Sequence, residues 1–324
     1  MEERELGRSG VAVSRVILGC GNFGGVGSAP AFFGQGTAKD VAFRLMDAAW
    51  DLGVTTFDTA DAYGGGRSEA FIGEWLGTKG SEVRDRLVLT TKTFNPLEEG
   101  GDGGLGRARI RRQIDGSLQR LGVERVALYM AHDFDPDVPQ EETLQAFDEL
   151  ISAGKVGAAG ASNFSADQLA EALELSELEG LARYEWAQNG FSLLEQGDRE
   201  TVFPVCHEHG LGYTPFSPLA GGWLTGKYRR DASPPAGSRM MQRPGPYERY
   251  RVDAVFDALE RLETWAALRN ARMSAVAMAW LLSLPEVTAI VVGPNRVEHL
   301  AHVAEALELR LTSAEQDELG SWFA

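Results

Sequence analysis

Thr55-Thr56-Phe57-Asp58-Thr59-Ala60-Asp61-Ala62-Tyr63-Gly64 is a short β-prone run that ends on a carboxylate and opens into a small-residue loop. A helical pattern, Ser68–Leu76, follows it with Ser68 as N-cap. Seven more strand-then-helix units surround this one. Val16–Leu18 precedes a helix over 40–52, Leu87–Leu89 one over 110–121, and Val126–Met130 one over 142–153. Val156–Gly160 precedes 167–175, and Tyr184–Ala187 precedes 201–209. Gly212–Thr214 leads through a long irregular segment to helices over 253–269 and 274–284, and Thr288–Val292 precedes 297–307. Most of these strand runs are continuously apolar, as in a parallel sheet covered by helices. Eight such units in succession predict an α/β fold, a (β/α)8 TIM barrel over residues 1–324 as one domain. A hairpin around Arg8-Ser9-Gly10 precedes the barrel, long loops lie on its C-terminal face, and residues 313–324 form an added helix or tail. Arg229–Pro246, rich in Pro and Gly, is a loop rather than a linker, because the barrel needs the units on both sides.

Lys and Arg number 31 against 47 Asp and Glu, a net charge of −16, which argues against nucleic acid or an anionic membrane as a bulk partner. The two cysteines, Cys20 and Cys206, support neither a disulfide framework nor a zinc site, and no metal is expected. Met1–Glu5 is acidic and lacks the apolar core of a signal peptide, so a cytoplasmic protein is expected. No apolar run is long enough to span a bilayer.

In a barrel, chemistry collects at the C-terminal ends of strands and in the loops after them. The second strand ends at Asp58 and its loop carries Tyr63; the third ends at Lys92; the fourth runs into His132. Singly, each has a plain alternative: a packed tyrosine, a helix-capping aspartate, a solvated lysine, a histidine bonded to a carbonyl. Four proton-handling groups at successive strand ends are hard to assign to chance. Together they suit carbonyl reduction, which needs hydride at carbon and a proton at oxygen. A tyrosine with a pKa of about 10 needs help to act as an acid, and Lys92, held by Asp58, supplies a neighbouring positive charge. His132 would then polarise the substrate oxygen.

Phe57–Gly64, Thr91-Lys92, His132 and Gly160-Ala161-Ser162-Asn163 resemble the aldo-keto reductases, nearly along the whole chain. Gln188–Leu194 and Phe216–Tyr228 are most similar to the bacterial and potassium-channel β-subunit-like branch. The resemblance implies a (β/α)8 fold, NADPH (NADP+) as cofactor, a small-molecule carbonyl substrate, and the catalytic set Asp58, Tyr63, Lys92 and His132. It also places Ser162, Asn163 and Gln188 at the nicotinamide carboxamide and Phe216 on the ring.

Loops after the seventh and eighth strands often bind phosphate in barrels. Here they offer Ser217, Pro218, Leu219, Gly221 and Lys227, then Gly293, Asn295 and Arg296. Arg296 is the candidate for the 2′-phosphate, its fork matching phosphate geometry. His299, His302 and Val303 depart from the residues that this family usually sets against adenosine, which leaves NADH open as a reductant. Gly19-Cys20-Gly21-Asn22-Phe23-Gly24 fits G-x-G-x-x-G, but no helical pattern opens on its third glycine, so a Rossmann reading is rejected. Gly21, Asn22 and Phe23 are expected instead to line the cofactor pocket. Substrate walls are expected from Phe23, Phe32, Phe33, Tyr63, Phe94, His132 and Phe134, with 229–250 as a lid. A different class is compatible with these residues: a nicotinamide-binding regulatory or interaction subunit with little turnover. The sequence does not decide between monomer and homo-oligomer.

Overall fold

The computed structural model describes all 324 residues, Met1–Ala324. A hairpin of β1 (Glu3–Glu5) and β2 (Ala12–Ser14) precedes eight parallel strands. These are β3 (Val16–Gly19), β4 (Thr56–Asp58), β5 (Val88–Thr93), β6 (Val126–Ala131), β7 (Val156–Ser162), β8 (Tyr184–Gln188), β9 (Gly212–Tyr213) and β10 (Ile290–Val292). They lie in the order β10-β3-β4-β5-β6-β7-β8-β9. The ring closes between β9 and β10 through Thr288 N–H to Tyr213 O at 2.9 Å and Val291 N–H to Pro215 O at 2.9 Å. This is the (β/α)8 barrel the alternation implies.

Helices cover the outside: α1 (Lys39–Asp51), α2 (Arg67–Gly77), α3 (Ser81–Arg86), α4 (Arg107–Leu121), α5 (Gln140–Ser152), α6 (Ala166–Glu179) and α7 (Val202–His209). The β9–β10 connection holds the short α8 (Arg239–Gln242), α9 (Asp253–Leu268) and α10 (Met273–Ser283), and α11 (Leu300–Glu308) and α12 (Ser313–Ser321) follow β10. The apolar core has two parts. Sixty-eight buried residues pack between strands and helices, and a separate set of nine fills the barrel interior. Leu6 and Val13 belong to the inner set, so the N-terminal hairpin plugs one end of the barrel. At that plug Gly7 has φ +60°, and a Cβ there would lie 2.1 Å from Glu185 O; glycine alone allows the approach. No helix is long and apolar enough to cross a membrane.

One local expectation is corrected. Ser68 does not cap α2, whose N-cap is Gly66 with φ 85°. The Ser68 hydroxyl is wholly buried, donating to Cys20 O (3.0 Å) and meeting Thr59 Oγ1 at 2.7 Å, so it ties the β3 and β4 loops together.

Candidate active site

Strand periodicity builds the centre of the site. Asp58 is the register partner of Thr90, and Lys92 lies two residues further along β5, so Thr90 and Lys92 share one face of that strand. Asp58 receives both: Thr90 Oγ1 donates to Oδ1 (2.7 Å) and Lys92 Nζ to Oδ2 (2.5 Å). Lys92 also donates to Thr59 O at 3.0 Å. The side chains of the pair are 1% and 3% exposed, so the charges are almost fully removed from water and depend on each other. Gln188 Nε2 lies 3.4 Å from Asp58 Oδ1 and from Thr214 Oγ1, which fastens β8 and β9 to the same carboxylate.

Ladder bonds continue beyond the strand ends and set the loops. Thr59 N–H donates to Thr90 O and Asp61 N–H to Lys92 O, each at 3.0 Å, so the turn bearing Tyr63 is stitched to β5. Lys92 Nζ stands 5.1 Å from the centre of the Tyr63 ring. His132 N–H donates to Thr93 O (3.0 Å), and its Nε2 is 3.4 Å from the Tyr63 hydroxyl, with the rings edge to face. The four expected residues thus form one cluster.

Their electrostatics refine the expectation. Burial works against the Lys92 ammonium, but Asp58 and Tyr63 outweigh it and hold its pKa above the ordinary value. Burial raises the Tyr63 phenol, and Lys92 offsets only part of that rise. The neighbouring cation therefore does not bring tyrosine below its ordinary value; it limits an upward shift. Burial, reinforced by Lys92, pushes His132 well below the imidazole range, so it is neutral near pH 7. Its Nδ1 is buried with no partner.

Around the cluster lies an open rim. Asn163 is exposed, with φ 61°, and donates through Nδ2 to His132 O (2.8 Å) and Ser162 Oγ (3.2 Å). Ser162 is buried at the end of β7 beside its partner Gln188. Phe216 is half-buried and runs beside Gly190, bonded to Asn189 O and Phe191 N–H. A Cβ on Gly190 would stand 3.4 Å from the Phe216 ring, and one on Gly21 would stand 3.5 Å from Tyr63.

From Ser217 to Gly222 the chain turns tightly, with positive φ at Ser217, Ala220, Gly221 and Gly222. Within it Pro218 is buried and Leu219 half-buried. Lys227 folds back over this turn: a Cβ on Gly222 would lie 2.2 Å from its Nζ. Burial and Arg239 press its pKa down. Gly293, Asn295 and Arg296 are exposed after β10, and the Arg296 side chain has no hydrogen-bond partner. Asn22 spans the gap, donating to Gly293 O (3.2 Å) and accepting from the Arg239 guanidinium. The 229–250 segment therefore reaches across the mouth, and Tyr247 packs on Gly221.

Phe23 is a correction. Expected against both cofactor and substrate, it is 0% exposed and packs in the main core, because its loop turns back to pair with Thr37. Phe33 and Phe94 are half-buried, Phe33 against Gly65 in the Tyr63 turn. Phe32 is half-buried too, and Phe134 packs edge-on against Phe164. The stretch after Gly24 holds only a short 3-10 turn (Pro30–Phe32) before α1, consistent with rejecting a dinucleotide fold. His302 Nδ1 meets Ser274 Oγ at 2.8 Å, and no His, Cys, Asp and Glu cluster could hold a metal. Sequence reading missed Thr90, Thr214 and Arg239; the period-two alternation that places Lys92 inward could have found Thr90.

A barrel whose C-terminal mouth holds a buried Asp–Lys pair under a tyrosine and a neutral histidine defines the oxidoreductase class of such barrels. Comparison with known proteins agrees: residues 15–322 match the aldo/keto reductase family, and the chain belongs to it. It is 36% identical over 320 residues (96% of this chain, 92% of the relative) to the "Uncharacterized oxidoreductase YrpG" of Bacillus subtilis. It is 32% identical over 312 residues (94% and 88%) to a "Putative voltage-gated potassium channel subunit beta" of Schizosaccharomyces pombe. To the "L-glyceraldehyde 3-phosphate reductase" of Escherichia coli O157:H7 it is 30% identical over 331 residues (98% and 90%).

Proposed function

We propose that this chain, working as one domain, reduces aldehydes or ketones to alcohols with NADPH, Tyr63 giving the proton. The observation that carries the reading is the buried Asp58–Lys92 pair beneath Tyr63, with His132 Nε2 at 3.4 Å from the tyrosine hydroxyl. The residues at the mouth fit a dinucleotide. Phe216 offers a flat face, and Asn163 and Ser217 are exposed beside it. The turn at Ser217–Gly222 gives close backbone approach, and Arg296 holds an unpaired guanidinium. A bound nicotinamide would supply the hydride.

Tyr63 holds its proton near neutral pH, and because burial raises the phenol, giving that proton up depends on the charge beside it. As its proton passes to the substrate oxygen, negative charge develops on the phenolate, and the Lys92 ammonium is already held at its side. Asp58 keeps Lys92 charged and aimed. Neutral His132 has one N–H to orient the carbonyl oxygen without competing as an acid. Arg296 would hold the 2′-phosphate, and Ser162, Asn163 and Gln188 the carboxamide. A purely regulatory role is the weaker reading, since a buried ion pair costs stability that binding alone does not require. Purified protein should oxidise NADPH in step with the loss of an aromatic aldehyde from a panel of carbonyl compounds. Binding of NADPH with no turnover of any carbonyl in the panel would overturn the reading.

A further inference from the structure

The face of β5 opposite Lys92 carries a second polar chain. Thr91 and Thr93 point away from the barrel axis, one residue out of phase with Thr90 and Lys92. Thr93 Oγ1 donates to Asp61 Oδ2 (2.8 Å) and accepts from Arg109 Nη1 (2.8 Å). Asp61 lies between Asp58 and Tyr63 in the chain, and its N–H is bonded to Lys92 O. Arg109, 5% exposed at the start of α4, spreads its fork over the β5–α4 loop: Nη2 to Asn95 O (2.8 Å), Nη1 to Gly104 O (3.0 Å) and Nε to Asp102 O (3.3 Å). Asp61 and Thr93 are both 0% exposed. Asp61 Oδ1 and the hydroxyl of nearby Tyr129 are buried without partners.

This arrangement is poor as a stability device. Asp61 and Arg109 do not meet directly, because a threonine hydroxyl stands between them, and two buried polar atoms go unsatisfied. It joins two segments that both face the mouth: the turn with Tyr63, and the Phe94–Gly106 loop, which is also held by Leu105 N–H to Asp135 (2.6 Å), Thr143 Oγ1 to Leu105 O (3.3 Å) and Arg112 to Asp102.

We propose that Asp61, Thr93 and Arg109 are positioning residues that lock the Phe94–Gly106 loop to the Tyr63 turn, so that the loop's grip on a carbonyl substrate is set from the outer face of β5. The proposal rests on the reductase reading above. None of the three touches the reacting atoms. Their effect passes through the loop, and appears in substrate affinity more than in the proton step.

The test uses Thr93→Val, which keeps the shape and removes the hydroxyl, with Thr93→Ser as rescue. Amide hydrogen exchange over residues 94–106 should quicken about tenfold in Thr93→Val and return to the wild-type rate in Thr93→Ser. KM for an aldehyde should rise about tenfold while kcat falls less than threefold and the dissociation constant for NADPH stays level. A lower melting temperature with unchanged loop exchange and unchanged KM would show a structural role only and overturn the proposal. If Thr93→Val does not fold, Arg109→Lys, which loses the fork, must quicken exchange in the same loop; wild-type exchange there overturns the proposal as well. Exchange needs no turnover, so absence of carbonyl reduction in the wild type would defeat the reductase reading while the exchange result still decides the link.

Discussion

Replacing Lys92 by Met tests how the centre works. The change removes the donor to Asp58 Oδ2 and Thr59 O and leaves a carboxylate 3% exposed without its counter-ion. Breaking a buried pair from one side costs about 3–5 kcal/mol. Thr90 and Gln188 still donate to Asp58, so the lower end, about 3 kcal/mol, is expected. At about 2.1 cal/mol/K per residue, a chain of 324 residues should lose about 4 °C in Tm.

The effect on rate is larger. A cation about 5 Å from the centre of the ring that becomes the phenolate, at an effective dielectric near 20, is worth about 3 kcal/mol, or roughly a hundredfold. Thermal melts at pH 7 and single-turnover reduction, with NADPH saturating, measure both. The alkaline limb adds a check of sign. Lys92 titrates above its ordinary 10.5, so the pair's stabilisation is whole below pH 10.5 and is lost as pH climbs through the raised value. That alkaline loss should be absent from Lys92→Met. A variant within threefold of the wild-type rate and within a degree of its Tm would refute the reasoning.

Three further outcomes are expected. Asp61 is raised to about 7, first by burial and then by Glu69, with Thr93, Arg109 and Arg120 opposing. Asp61's contribution to stability is therefore whole below pH 3.8 and is lost as pH rises to about 7, so Asp61→Asn should gain on the wild type by up to about 1.4 kcal/mol per pH unit in denaturant melts; a pH-independent difference would contradict this. Arg296→Ala should raise the dissociation constant for NADPH by roughly 10- to 100-fold and leave that for NADH nearly unchanged, and equal effects in fluorescence titrations would remove the 2′-phosphate role. Gly7→Ala forces a Cβ against Glu185 O at the barrel plug and should cost at least about 3 kcal/mol in chemical denaturation; a loss under 1 kcal/mol would mean the hairpin can move away.

The barrel was legible because its strands are apolar runs with a helical period after each, a pattern that solvent does not blur. That Asp58, Tyr63, Lys92 and His132 come together was legible because a barrel exposes strand ends at one mouth, which turns chain order into neighbourhood. What escaped was whatever depended on side-chain direction. Thr90-Thr91-Lys92-Thr93 is a polar run, and only the strand's alternation sends Thr90 and Lys92 inward and Thr91 and Thr93 outward. Phe23 reads as a pocket aromatic, yet a single backbone bridge to Thr37 turns it into the core. Ser68 reads as a cap, but Gly66 supplies the left-handed turn before α2 and frees the hydroxyl for Cys20 O. The sign of the Tyr63 shift escaped for a related reason: a sequence names the neighbouring charge but not the depth of burial that outweighs it.

The most direct test of the central claim is single-turnover reduction of an aldehyde by Tyr63→Phe with NADPH bound. The account expects the dissociation constant for NADPH to stay within about threefold of wild type while the reduction rate falls by at least about 10²-fold, the contribution expected of a positioned general acid. A Tyr63→Phe protein that reduces the aldehyde at the wild-type rate would contradict the assignment of Tyr63 as the proton donor.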